Sequence, residues 1–365
     1  MPTDLPFFAI CLPGFEGVLE AELRALGLNV TGTQPGGVAL SGGWPDIWRA
    51  NTHSRIATRV LVRMTEFMAF HPAQLDKRAR KLDWAAWLPA GAAVKVEVTT
   101  NRKSKIYHAG AATSRIEGAL EAAGFAVGGD NPLIIKGRID DNRVMLSLDT
   151  SGEPLHKRGH KQAVGKAPLR ETMAAAFLAQ CGFDGTQPVV DLMCGSGTFV
   201  IEAAEIAAGL APGRARAFAF QTLPSFDASR FDVPDTGPAA PMPTFTGSDR
   251  DTGVIAMATA NAERAGVAHL CTFTHADVRD ARPPDGAPGL VILNPPYGAR
   301  IGNKKALYGL YAMIEDALRT HFIGWRVGLI TSEKSLANAC DLPWAPPGPP
   351  IAHGGLRVNL WQAQL

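Results

Sequence analysis

Cysteine is scarce in this 365-residue chain, and Cys11, Cys181, Cys194, Cys271 and Cys340 lie far apart with no paired metal-ligand spacing. Their scatter and odd number argue against a disulfide framework or a structural zinc, and fit a reducing compartment. Net charge is nearly absent as well, at +2. Any affinity for nucleic acid must therefore come from local clusters of Lys and Arg. No uncharged apolar run approaches the roughly 20 residues of a membrane helix. The opening stretch MPTDLPFFAICLPGFEG has no basic region, and Pro13 and Gly14 break its apolar run, so it is a poor signal peptide. The expected location is the cytoplasm. There is no internal repeat and no low-complexity tract. What remains is ordinary globular composition, 46% hydrophobic and 19% charged, in a chain long enough for two or three domains.

Two patterns divide the chain. In the first, Phe7–Cys11 reads as a strand, Gly17–Leu26 as a helix stopped by Gly27, and Arg55–Phe67 as a helix or strand of mixed pattern. Ala93–Thr99 alternates as a strand and Ser114–Ala123 as a helix, while Ile134–Asp140 and Arg143–Asp149 suggest a hairpin around Asp141 and Asn142. This is an α+β pattern. The segment SGEPLHKRGHKQAVGKAP, residues 151–168, is polar and basic and reads as a linker or exposed loop.

The second pattern is α/β. Helices are expected at Leu169–Cys181, Phe199–Ala208, Val254–Ala265 and Ala306–Phe322. They alternate with strands at Pro188–Leu192, Phe245–Ser248, Cys271–His275, Gly289–Leu293 and Arg326–Thr331. Such alternation predicts a mostly parallel, Rossmann-like sheet covered on both faces. Pro212–Pro243, rich in Pro, Phe and Ala, interrupts it as either a functional or a capping excursion.

Chemistry concentrates in two motifs. Asp191-Leu-Met193-Cys194-Gly195-Ser196-Gly197-Thr198 follows an apolar strand and opens a helix. Its glycines permit a tight turn and close backbone approach to a ligand. A merely tight strand-to-helix turn would look similar, but a carboxylate at the strand end would repel pyrophosphate. It suits a cation such as the sulfonium and amino group of S-adenosylmethionine. Asp249 and Asp277 end later strands, placed to accept the ribose hydroxyls and the adenine amino group. In open α/β sheets such acids converge on the crevice beyond the carboxyl ends of the strands. Singly, each would more often be a helix cap or a solvated charge.

The other motif is Asn294-Pro295-Pro296-Tyr297 after the apolar run GLVIL. Two prolines give a rigid backbone lacking donors at both positions. The Asn side-chain oxygen and a proline carbonyl can then each accept a hydrogen from an exocyclic amine, while Tyr297 offers a stacking face. Drawing both hydrogens withdraws the nitrogen lone pair from conjugation and leaves it free to attack a methyl group. A nicotinamide oxidoreductase is disfavoured, because the loop lacks the third glycine of G-x-G-x-x-G.

With these motifs assembled, the chain resembles the THUMP-containing RNA methyltransferases that modify guanine N2. That family includes the amino-terminal half of the bifunctional 23S rRNA methyltransferase and tRNA guanine-N2 enzymes. The resemblance runs through LPGFEGVLEAEL, RIATRVLVRMTEF, KSKIYHAGA, LHKRGHK, APLRETMAAA, DLMCGSGTFVIEAAEIA, NPPYGARIG, LITSEK and HGGLRVNLW. It implies a ferredoxin-like element over 1–65, a THUMP RNA-binding domain over 66–150, a basic linker over 151–168 and a class I methyltransferase domain over 169–365. It implies S-adenosyl-L-methionine contacts at Asp191, Met193, Cys194, Gly195, Ser196, Gly197, Thr198, Asp249, Arg250, Asp277, Val278 and Thr172. Arg170 and Glu171 join Thr172 as candidates on the helix closing over the methionine end. Catalysis falls to Asn294, Pro295, Pro296 and Tyr297.

RNA is the implied partner, rRNA ahead of tRNA, with no metal and no membrane. Its expected contacts are Arg102, Lys103, Lys105, His108 and Arg115, then Lys157, Arg158, His160, Lys161 and Lys166, as phosphate neutralisers. Solvated loop charge is the competing reading of both groups. Arg300, Lys304 and Lys305 are further candidates for the phosphate beside a flipped nucleotide. Rival acceptors for this type of site are adenine N6, cytosine N4 and glutamine N5. The rival class is an RNA-binding assembly protein that has lost activity.

Overall fold

Alternating burial shapes the first strands. Leu5, Phe7 and Ala9 point inward along β1 (Leu5–Ile10), where the sequence predicts a strand. In the computed structural model, which describes residues 4–162, 169–234, 237, 242–298 and 304–365, α1 (Glu16–Ala25), β2 (Asn29–Gln34), β3 (Gly37–Gly42) and α2 (Trp44–His53) follow. Next come β4 (Arg59–Met68), α3 (Pro72–Ala79), β5 (Ala93–Thr100), α4 (Ala109–Ala122), β6 (Ala126–Val127), β7 (Leu133–Asp140) and β8 (Arg143–Asp149). The β7–β8 hairpin forms where expected. Asp141 and Asn142 take φ of 48° and 64° in its turn, a region these side chains tolerate better than most.

The chain divides into two units. Unit 1 takes in the chain up to Cys11, Glu20–Leu155 and Arg216–Asp232. It is built on an eight-stranded sheet in the order β2-β3-β1-β4-β8-β7-β5-β6. The ambiguous Arg55–Phe67 pattern resolves as strand β4, which pairs with β1 on one edge and β8 on the other. The boundary expected at 65–66 therefore falls inside one strand of a continuous sheet. Residues 216–232 of the Pro212–Pro243 excursion belong to unit 1. Within unit 1, Phe220, Phe226 and Phe231 surround Trp48 at ring-centroid distances of 6.1, 5.4 and 6.1 Å. That part of the insert contributes to the aromatic core.

Unit 2 comprises Leu12–Leu19, His156–Ala215 and Val233–Leu365. Its elements are α5 (Glu171–Gln180), β9 (Val189–Asp191), α6 (Thr198–Ala207), β10 (Phe245–Asp249), α7 (Thr252–Ala265) and β11 (Cys271–His275). They continue with β12 (Leu290–Leu293), α8 (Lys304–His321), β13 (Arg326–Thr331), α9 (Lys334–Ala339), β14 (Ile351–His353) and β15 (Leu356–Gln364). The sheet order is β11-β10-β9-β12-β13-β15-β14. The first five strands are parallel, and β15 runs antiparallel to β13. Every residue of β12 is buried, as a central parallel strand requires. The order reverses between β9 and β12, the point where such sheets open a crevice. Among the described residues, no helix is long and apolar enough to cross a membrane.

Candidate active site

The switch point brings the two motifs together at the strand ends of unit 2. Asp191 closes β9, and Asn294 follows the last residue of its neighbour β12. Gly247 of β10 lies beside Asp191, which sets Asp249 two residues further along the adjacent strand. The glycine loop folds between them. Gly195 (φ 51°) and Gly197 (φ 82°) occupy the left-handed region, and Gly197 caps α6. A Cβ on Gly197 would come within 3.0 Å of Ala258 and Phe273, so packing as well as φ demands glycine there. Around Gly195 nothing lies within 4 Å of such a Cβ, leaving that side of the loop open to a ligand.

The three acids sit in different environments. Asp191 is 2% exposed and accepts a hydrogen bond from Met193 N at 3.0 Å. Burial pushes its carboxyl up to about 8, and the charge of Asp249 adds to the rise against that hydrogen bond. A ligand ammonium is the complement such a carboxylate lacks. Asp249 accepts from Gly195 N at 3.0 Å and Asp251 N at 3.1 Å, tying β10 to the glycine loop. One lone pair on each oxygen remains for hydroxyl donors. Asp277, just past the end of β11, caps the short turn Val278–Asp280 and pairs with Arg279 at 2.8 Å, which holds its carboxyl below the usual range. Its Oδ1 is thus engaged in the capping role that the competing reading allowed.

Other residues of the expected cofactor set are placed as follows. Cys194 is buried and donates its backbone N–H to Ser248 O at 2.9 Å. Ser196 is buried, its carbonyl accepting from Asn261 Nδ2 at 3.1 Å. Thr198 Oγ1 accepts from Lys161 Nζ at 2.9 Å. Val278 belongs to the core, whereas Arg250 is exposed. Among the described residues, Thr172, on α5, is buried with no partner for Oγ1. Ser248 Oγ and Asn294 Oδ1 are likewise buried without a partner there. Unpaired buried oxygens are costly to keep.

Tyr297 packs against the core cluster of α8 and the sheet. The loop after it is pinned by Gly298 N donating to Glu333 Oε1 at 3.1 Å. Sequence reasoning misses Glu333 as a site residue, and its position just after β13 is the signal that could have found it. Arg300 lies outside the described residues, as does the side chain of Lys304; Lys305 is exposed.

The two basic clusters part company. Arg102, Lys103, Lys105, His108 and Arg115 are exposed in unit 1. In unit 2, Lys157 is exposed, but Arg158 is not a surface contact. It is 3% exposed and donates to both carboxylate oxygens of Glu202, at 2.7 and 2.5 Å, with Glu205 3.7 Å away. His160 is buried beside Glu205. Lys161 donates to Leu169 O and Thr198 Oγ1 and lies 3.6 Å from Glu171. The described part of the expected linker is therefore largely built into unit 2, because Glu202 and Glu205 on buried α6 require cations. Lys166 lies outside the described residues.

Comparison with known proteins shows the family. Residues 158–343 match the family described as "RMKL-like, methyltransferase domain", and residues 6–61 match the "RlmL ferredoxin-like domain". The "Putative RNA methyltransferase slr0064" of Synechocystis is 32% identical over 100% of this chain and 97% of its own length. The "Ribosomal RNA large subunit methyltransferase K/L" of Marinobacter nauticus is 33% identical over 92% of the chain, which spans only 49% of that protein. Among solved structures, "SMU.472, a putative methyltransferase complexed with SAH" superposes with a TM-score of 0.89 at 26% identity. That match covers 100% of this chain and 99% of SMU.472.

Proposed function

The chain belongs to the RMKL-like methyltransferase family, and from that premise we propose that it methylates the exocyclic N2 of a guanosine in RNA, with 23S rRNA ahead of tRNA. The observation that carries the amine reading is Asn294 Oδ1, buried without a partner among the described residues at the end of β12. Two prolines follow it, so no neighbouring N–H competes for that oxygen. Asn294 Oδ1 accepts one hydrogen of the amine and the Pro295 carbonyl the other, and Tyr297 offers its ring to the base. S-adenosylmethionine, when bound, would supply the methyl group and leave as S-adenosylhomocysteine, while Asn294 and the Pro295 carbonyl would hold the amine nitrogen, whose proton would pass to solvent.

Asp191 is assigned to the ammonium of the methionine moiety, Asp249 to the ribose hydroxyls and Asp277 to the adenine end. Residues 66–150 serve as the THUMP domain, with Arg102, Lys103, Lys105, His108 and Arg115 on phosphates. The family names of the relatives and the exposure of that cluster support RNA over DNA as the acceptor.

Methyl transfer from labelled cofactor into total RNA, DNA and protein of a strain lacking the gene tests the reading. Label in RNA, recovered as N2-methylguanosine, is expected. Label confined to DNA or protein, or recovered in RNA as a methylated adenosine or cytidine, would overturn it.

A further inference from the structure

A cavity of about 860 Å³ in unit 2 is lined by two stretches of chain far apart in sequence. One is the segment around His156, Lys157 and Arg170. The other is the tip of the β14–β15 hairpin, with His353 and Arg357. The hairpin turns on Gly354 and Gly355, at φ 56° and 84°, between the paired residues His353 and Leu356. Both central residues have positive φ, which glycine adopts without strain in the tight turn that brings Arg357 to the rim.

Two contacts tie the cavity to the chemistry. Leu356, on its wall, would meet a Cβ built on Gly298 at 3.2 Å, which puts the hairpin tip against the residue following Tyr297. Lys161, which also lines the cavity, reaches the end of the glycine loop through its Nζ bond to Thr198 Oγ1 at 2.9 Å. The cavity thus adjoins both the amine site and the cofactor loop.

Its charge is one-sided. Arg170 and Arg357 are exposed, and among the described residues neither has a carboxylate within ion-pair distance. The lining carboxylate, Glu171, faces Lys161. His156 is held neutral, down at about 4, first by burial and then by Arg170, Lys157, Lys161 and Arg158. Cations crowded against an imidazole that cannot join them leave a field seeking an anion. The volume falls within the usual range for a small-molecule site, roughly 300–1,000 Å³. Leu12, Met173 and Leu356 add apolar wall.

We propose that this cavity holds the phosphodiester next to the target nucleotide, gripped by Arg170 and Arg357 and closed by the β14–β15 hairpin. The inference rests on the RNA reading above and adds to it the contact that fixes the target's register. None of these residues carries base specificity; phosphate contacts position the strand.

The test compares wild type with the Arg170→Gln/Arg357→Gln double variant, using labelled cofactor and total RNA from a strain lacking the gene. The apparent constant for RNA should rise about tenfold. The log–log salt slope should flatten by about 1 for each phosphate no longer neutralised. Arg357→Lys should recover part of the affinity. Unchanged constant and slope, with wild type active on RNA, would overturn the cavity assignment and leave the RNA reading standing. A wild type that labels DNA or protein but not RNA would overturn both.

A second measurement needs no variant. Guanosine 5′- and 3′-monophosphate should inhibit the wild-type reaction at concentrations at least about tenfold below guanosine, a factor of ten corresponding to one charge-assisted contact. If neither monophosphate outcompetes the nucleoside, the proposal fails.

Discussion

Unit 1 and unit 2 each hold an asparagine among apolar strands, with opposite hydrogen-bond balance. Asn51, on α2 of unit 1, is 1% exposed and fully partnered. Its Nδ2 donates to Ile47 O and Thr150 Oγ1, both at 2.9 Å, and its Oδ1 accepts from Ser151 Oγ at 2.6 Å. Asn294, at the strand end of unit 2, has a buried Oδ1 with no partner among the described residues. A buried polar group whose bonds are closed within the protein contributes to the fold. One left open reserves its bond for something that arrives later. The charged groups of unit 2 extend the contrast, since the Nη1 of buried Arg158 is closed by both carboxylate oxygens of Glu202.

The largest expected effect falls on the closed side. Arg158→Ala leaves Glu202 buried without its cation, while Glu205 keeps Arg214 at 2.5 Å, at a cost of about 3–5 kcal/mol. Denaturant unfolding measures it. A loss below about 1 kcal/mol, with RNA affinity reduced instead, would return Arg158 to the RNA-contact role. On the open side, Asn294→Ala should lower kcat about 10²–10³-fold while leaving cofactor affinity by calorimetry nearly unchanged. Asn51→Ala should do the reverse, costing about 1–3 kcal/mol because the buried Ser151 hydroxyl proton loses its acceptor, with kcat intact. If both asparagines affect stability alike and neither affects turnover, the distinction between closed and open groups collapses.

The legibility of the two regions follows from the same distinction. The loops DLMCGSGT and NPPY are readable because a glycine turn and a double proline constrain backbone locally, whatever surrounds them. The α/β order is readable because each buried strand, LVIL above all, is a continuous apolar run. By contrast, β2, β3, α2 and the β14–β15 hairpin escape a reading of the sequence. Asn29–Gln34 is mostly solvent-facing and carries no apolar alternation. The burial of Arg158 is equally hidden, since charge density in LHKRGHK looks the same whether Glu202 waits beneath it or water does. The partners of a long-range ion pair are not written near it.

A smaller effect separates the acids of the crevice. The Asp191 carboxyl, raised from its usual 3.8 to about 8, keeps its proton in the folded protein over a window where the unfolded chain has lost it. The ligand-free protein should therefore lose stability as pH rises through that window and level off above it. Binding a cationic cofactor requires the proton to leave. Affinity should rise with pH toward 8, with proton release visible as a buffer-dependent enthalpy in calorimetry. Asp191→Asn should abolish that dependence and weaken binding. Asp277, half-buried and already ionised against Arg279, should show no such pH response when changed to Asn.

The smallest change in stability is expected where charge is most exposed. Lys103→Glu/Lys105→Glu reverses two solvent-facing side chains on the loop after β5, and unfolding should shift by no more than about 0.5 kcal/mol. Their effect belongs to recognition. If these lysines neutralise phosphates, the apparent constant for RNA rises and its salt dependence flattens, while kcat at saturating RNA stays near the wild-type value. Solvated loop charge predicts no change in any of the three. An outcome in which salt dependence is unchanged but kcat falls would fit neither, and would mean that unit 1 acts on the bound nucleotide's geometry instead of on its affinity.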